Sequence, residues 1–190
     1  MRFHVISLPH TNTTQDFVNC AYTEKVRRFC KMMHKLGHTV YLYGGEFNEA
    51  ECRQHIVCIS EEERIASLEG KHFTQGSFDN NLPHWQKFLG KAIEEIDKRI
   101  KKKDFICIIG GSAQKPIADA FPEHISVEFG VGYSGVFAQY KVFESYAWMH
   151  SIYSQFKNAA SADGFYFDEV IPGYLEREMF PFQPEKDDYY

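Results

Sequence analysis

The chain has 190 residues, of which 44% are hydrophobic and 25% charged, and a formal net charge of −5; this is the composition of one globular domain, too short for two comfortable ones. No apolar run approaches the roughly 20 residues that a membrane span needs, and the opening MRFHVISLPH is too short and too weakly charged for a signal peptide. The acidic balance argues against a sequence-independent grip on nucleic acid, which requires clustered Lys and Arg. Five cysteines, at 20, 30, 52, 58 and 107, are odd in number and scattered, so no disulfide framework is expected and a reduced, cytoplasmic compartment is.

Arg2 to Leu8 reads as a strand covered on both faces. A polar loop, His10 to Asp16, leads to a helical pattern with Val26, Phe29, Cys30, Met33 and Leu36 on one face, which Gly37 closes. Thr39 to Tyr43, stopped by Gly44-Gly45, is the second strand and completes a βαβ unit. His55 to Ile59 is a third short strand, and Ser60-Glu-Glu-Glu63 supplies a capping box for the next helix.

Residues 69 to 81 (EGKHFTQGSFDNN) read as a loop. Pro83 then opens a helix through Trp85, Phe88, Leu89, Ile93, Ile96 and Ile100. The basic run Lys98 to Lys103 falls at that helix's end, where cations complement the dipole by roughly 0.3–1 kcal/mol. Asp104 to Ile109 is the clearest buried strand, stopped by Gly110-Gly111; Ser112 is placed to cap a short helix ending before Pro122. Ile125 to Phe129 is the fifth strand. The apolar spacing of Phe137, Tyr140, Phe143, Ala147, Ile152 and Phe156 predicts a helix over 136–156. Phe165 to Ile171 reads as a last extended segment, and residues 174–190 as a linker-like tail after a domain of residues 1–173.

This alternation predicts an α/β fold: a doubly wound, mainly parallel sheet with helices on both faces, Rossmann-like and three-layered. Ligands in such sheets bind beyond the carboxyl ends of the strands where strand order reverses. With the order 3-2-1-4-5 and a sixth segment outside, the crevice lies between strands one and four, rimmed by His10 to Asp16, Gly110 to Gln114 and Glu128 to Ser134.

Gly130-Val-Gly132-Tyr-Ser-Gly135 has the G-x-G-x-x-G spacing of a dinucleotide loop. A true fingerprint follows the first strand and has an acidic residue about 20 positions on. Here it follows the fifth strand, position 155 falls inside the expected helix, and the loop after the first strand has no glycine. The motif therefore reads as a permissive backbone lip, where glycine admits positive φ or a close approach. Glu128 beside it is either an acceptor or base for a substrate hydroxyl, or a solvated carboxylate next to a turn. Metal binding is not expected: Cys52, His55 and Cys58 lack knuckle spacing and a fourth ligand, and Gly37 separates His34 from His38.

MRFHVISLPHT, the segment CAYTEKVRRFCKMMHKLGHTVYLYGGE, the block VEFGVGYSGVFAQYKVFESYAWMH and DGFYFDEVIPGYLEREMFPF together resemble the N-terminal domain of GT-B fold glycosyltransferases of the retaining, nucleotide-sugar-dependent type. The resemblance implies an acceptor-side domain that works with a C-terminal donor domain, with a nucleotide sugar as co-substrate and no covalently bound cofactor. It implies weak or no transfer by this chain alone, since its end at residues 187–190 is where the second domain would begin. The candidate substrate-binding residues are His10, Thr11, Gly110, Gly111, Ser112, Glu128, Gly130, Gly132, Tyr133 and Ser134, with Glu128 and His10 as catalytic candidates. Two departures stand out: the fourth strand ends Ile109-Gly-Gly-Ser112 without the family's histidine, and the paired-glutamate motif of the donor domain is absent. The competing reading is a non-enzymatic module that dimerises through Phe129, Tyr133 and Phe137.

Overall fold

The computed structural model describes residues 1–156, 164–175, 181, 182 and 184. Seven strands form one sheet in the order β3-β2-β1-β4-β5-β6-β7. They are β1 (Arg2–Ile6), β2 (Thr39–Gly44), β3 (Gln54–Val57), β4 (Phe105–Ile108), β5 (Ile125–Val131), β6 (Tyr140–Phe143) and β7 (Asp168–Val170). Every neighbouring pair is parallel. A sheet of this kind needs covering on both faces, and right-handed crossovers divide the helices between them. Helix α1 (Ala21–Lys35) lies on one face, with Phe29 packed on Phe3 of β1 and Phe129 of β5. Helices α2 (Glu61–Leu68), α3 (Pro83–Asp97) and α4 (Lys115–Ala120) follow one another in contact in the layer opposite. The expected α/β architecture and the order 3-2-1-4-5 are thus present.

Local chemistry sets the element ends. Gly37 takes φ +74° and closes α1 in a Schellman pattern: the Gly37 amide donates to His34 and that of His38 to Met33, each at 2.9 Å. At the start of α2, Ser60 Oγ accepts from the Glu63 amide at 3.3 Å while Glu63 Oε2 accepts from the Ser60 amide at 3.2 Å, which is the capping box expected from sequence. Pro83 opens α3, and Trp85, Phe88, Leu89, Ala92 and Ile96 form its buried stripe. Past its end, Lys98 pairs with Glu94 and Glu95, and Arg99 with Glu95.

Three expectations need correction. The helix expected over 136–156 is instead a loop, strand β6 and a short helix α5 (Tyr146–Tyr153), capped by Ser145 Oγ accepting from the Trp148 amide. The aromatic spacing suits either period, and the free edge of β5 decides: Glu128 and Val131 find parallel partners in Lys141 and Phe143. Lys141, buried in β6, is paired with Asp168 of β7 at 3.1 Å. Ser112 caps nothing; it lies within a 3-10 turn, Gly111–Gln114, and Gly110 occupies the cap position. Gly130 and Val131 belong to β5 itself, and a register shift between Glu128 and Val131 marks a bulge with Gly130 at φ +62°. The reading of 174–190 as a linker-like tail falls for the most part outside the described residues.

Two glycines separate the backbone requirement from propensity. A Cβ at Gly130 would be held in the left-handed region and would stand 3.1 Å from Lys25 Cδ, so Gly130→Ala should lose about 1–2 kcal/mol. Gly90 lies exposed in α3 with nothing near its missing Cβ, and Gly90→Ala should gain about 1 kcal/mol. Urea denaturation of both variants checks the pair; equal effects would contradict the bulge.

Candidate functional site

The carboxyl ends of the strands lie along one edge, as in any all-parallel sheet. At the split between β1 and β4, the side chain of Gln114 accepts from the Ile109 and Gly110 amides at 3.0 and 2.9 Å and donates to the Ser7 carbonyl at 2.7 Å. A fully buried amide therefore joins the two strand ends where an open crevice is expected. Gly110 fits closely over it, since a Cβ there would come within 2.9 Å of Gln114 Cδ.

The loop after β1 is buried rather than a solvated rim, from His10 through Thr14. Thr11 shares a 2.7 Å hydrogen bond with Thr23 of α1. Asn12 donates to Glu61 at 2.7 Å and accepts from the Phe47 amide at 3.2 Å; Gly45 is needed beneath it, because a Cβ there would lie 2.3 Å from Asn12 Oδ1. Arg64 forks onto Glu61 with bonds of 2.7 and 2.6 Å and lies over the Phe17 ring. The Arg64 and Asn12 hydrogen bonds hold the Glu61 carboxyl below its usual range, against the opposing effect of burial.

The other candidates separate into two groups. Gly111, Ser112, Glu128 and Tyr133 form a packed corner. The Tyr133 ring lies on Gly111, where a Cβ would be 2.8 Å from it, and the Ser112 amide donates to Gly135 at 2.9 Å. Glu128 is 0% exposed, and its Oε2 accepts from the Phe137 and Ala138 amides at 2.8 Å each. Burial pushes its carboxyl upward, with those amides and Lys141 opposing. Glu128 thus fixes the turn into β6, and Tyr133, raised by burial and by Glu128, packs beside it. Gly130 and Gly132 lie elsewhere, toward α1 and α5: Lys25 donates to the Gly130 carbonyl at 2.9 Å and pairs with Glu144 at 2.9 Å. Ser112 and Ser134 are exposed. Phe129 and Tyr133 are buried and Phe137 half-buried, so the surface expected for dimerisation is not presented.

Two candidates border open clefts: Gly130 lines one of about 440 Å³ against α1, and His10 lines another. This space, about 570 Å³, lies between α2, the first turn of α3 and residues 71–77, within the usual range for a small-molecule site. His10 is 2% exposed, and its Nδ1 is buried without a hydrogen-bond partner. Gly76 sits against the opposite side of the imidazole, where a Cβ would come within 2.4 Å of Cδ2. The 71–77 strap is held to α3 by the Trp85 indole, which donates to the Ser77 carbonyl at 2.7 Å. Burial, then the nearby His84 and Arg64 charges, lower His10 to about 4, leaving a neutral ring able to accept a hydrogen bond. The walls, Ala66 and Ser67 of α2 and His84 and Lys87 of α3, are not among the residues expected from sequence; the long polar loop 69–81 between two helices is the signal that points to them.

Among the described residues no group of three His, Cys, Asp or Glu side chains is placed to hold a metal ion, and no helix is long and apolar enough to cross a membrane. No protein-family model matches the chain, and no curated protein is significantly similar to it.

The depressed His10 value carries a sign. The unfolded ring takes a proton near pH 6.5 and the folded ring only near 4, so protons favour the unfolded chain, and stability is lost as pH falls through this window. From pH 7 to 4, His10 should cost about 3 kcal/mol. The stability of wild type relative to His10→Phe, from denaturation at each pH, should fall by that amount; parallel profiles would contradict a buried neutral His10.

Proposed function

We propose that the chain is the acceptor-side domain of a sugar transferase, whose nucleotide-sugar donor is gripped mainly by a second domain. The observation that carries this reading is the neutral, unpartnered His10 in a small-molecule cleft at the carboxyl edge of the sheet. A neutral imidazole there can receive a hydrogen bond from an acceptor hydroxyl and, in the intact enzyme, orient that oxygen toward the donor. Transfer depends on holding both reactants in a near-attack arrangement, and this chain provides for one of them.

The fold is consistent with this division, since Rossmann-like domains place their binding loops at strand carboxyl ends. The resemblance of the block 127–150 to GT-B N-terminal domains supports it independently of the cleft. Glu128 no longer fits the role of base, being committed to the Phe137 and Ala138 amides. His10 remains the catalytic candidate.

The test mixes the 190-residue chain with UDP-glucose, UDP-N-acetylglucosamine or GDP-mannose and a panel of mono- and disaccharide glycosides. The expected outcome is acceptor binding by calorimetry with only trace transfer by mass spectrometry. Robust turnover with any of these donors would contradict the need for a second domain.

A further inference from the structure

The cleft beside His10 constrains what can enter it. Its walls are apolar in Ile59, Ala66, Leu68, Leu82 and Pro83. The charged groups at its margin cancel: Glu63 is paired with Lys87, and Glu69 with Lys71 at 3.5 Å. His84 is half-buried and also lowered by burial, so the two histidines add no positive charge near neutral pH. Among the described residues lining the cleft each lysine is paired with a glutamate, so an anion entering it would lose hydration without an uncommitted charge to meet it.

Against these apolar walls lies the His10 imidazole, whose buried Nδ1 has no hydrogen-bond partner. A buried nitrogen left unsatisfied costs about 1–3 kcal/mol, which a ligand hydroxyl recovers when it supplies the missing hydrogen bond. We propose that this cleft takes a neutral, hydroxyl-bearing molecule with an apolar body, such as an aryl glycoside, whose hydroxyl donates to the bare nitrogen of the His10 imidazole while its apolar part lies between α2 and α3. This rests on the transferase reading and names the chemical class of its acceptor. Ser67, which spends its proton on the Arg64 carbonyl at 2.7 Å, keeps lone pairs for a second hydroxyl of the same ligand.

The strap of residues 71–77 fits the same account. It is mostly exposed, and it reaches the site through Gly76, where a Cβ would collide with the imidazole. It is anchored by the indole hydrogen bond to Ser77 and by Phe73, which packs on Phe17 and the core, so the wall it gives the cleft is held in place.

The experiment titrates the ¹⁵N-labelled chain at pH 7 with phenyl β-D-glucopyranoside and, separately, phenyl phosphate, which share the apolar ring and differ in charge. The expected result is saturable shifts at Ser67, Gly76 and His84 with the glucoside, and at least tenfold weaker binding of the phosphate. His10→Phe, which keeps a flat ring but removes the acceptor nitrogen, should weaken glucoside binding about 5- to 10-fold. Ala66→Trp, at an exposed position on the cleft wall, should weaken it more than tenfold while leaving the folded spectrum intact.

Tighter binding of the phosphate, glucoside shifts away from the cleft, no saturable glucoside shift, or unchanged affinity in Ala66→Trp would each overturn the inference. Failure here remains distinguishable from failure of the transferase reading. Preference for the phosphate removes the neutral-ligand assignment and leaves acceptor binding in place. Glucoside binding combined with robust single-chain turnover leaves the ligand class standing and removes the two-domain assignment.

Discussion

The buried amide of Gln114 closes the place where a doubly wound sheet ordinarily holds a ligand. Between β1 and β4 the direction of winding reverses, and the loops on either side diverge, which in doubly wound sheets opens a crevice. Here one side chain spans it, accepting from two amides of the β4 end and donating to the Ser7 carbonyl of the β1 end. The split is therefore closed by three buried hydrogen bonds, each the kind whose loss exposes an orphan backbone group. With that position filled, the cleft that borders His10 lies to one side, under the turn after Pro9, between α2, α3 and the 71–77 strap.

The glycine motif shows how one sequence pattern serves different backbone needs. Gly130 makes the bulge in β5, Gly132 allows Lys25, Glu144 and Trp148 to crowd close, and Gly135 at φ +82° turns its carbonyl to the Ser112 amide. None of the three opens a helix. Glu128 then directs the chain onward by binding the Phe137 and Ala138 amides, which starts the path into β6. A buried carboxylate held by two amides is a structural device for shaping a turn, and its raised value reflects burial.

The fold was legible where local chemistry and long-range packing agree. Strands β1, β2 and β4 are continuous apolar runs with glycine stops, the Ser60 box and Gly37 mark helix ends, and α3 has an unambiguous stripe. Legibility failed at β6, because Tyr140 to Phe143 has no sequence feature that distinguishes a strand from a helical turn; the requirement comes from the unpaired edge of β5, a partner remote from that segment's own pattern. The site was legible in part. His10 could be named from its place after the first strand, but its surroundings include Gly76 and Phe78, which approach the ring from a loop more than 60 residues away in sequence. Gln114 could be placed on the crevice rim from sequence, but that it fills the crevice follows only from the pairing of β1 with β4.

The functional account depends on the charge state of one ring. Were His10 a cation, the cleft would favour anions and the neutral-hydroxyl assignment would fail; burial, with the Arg64 charge nearby, argues for the uncharged form. Long-range ¹H–¹⁵N correlation on the imidazole-labelled chain at pH 6 reports this directly. The account predicts a neutral tautomer for His10, with one protonated and one bare nitrogen, whereas two protonated nitrogens at that pH would contradict it.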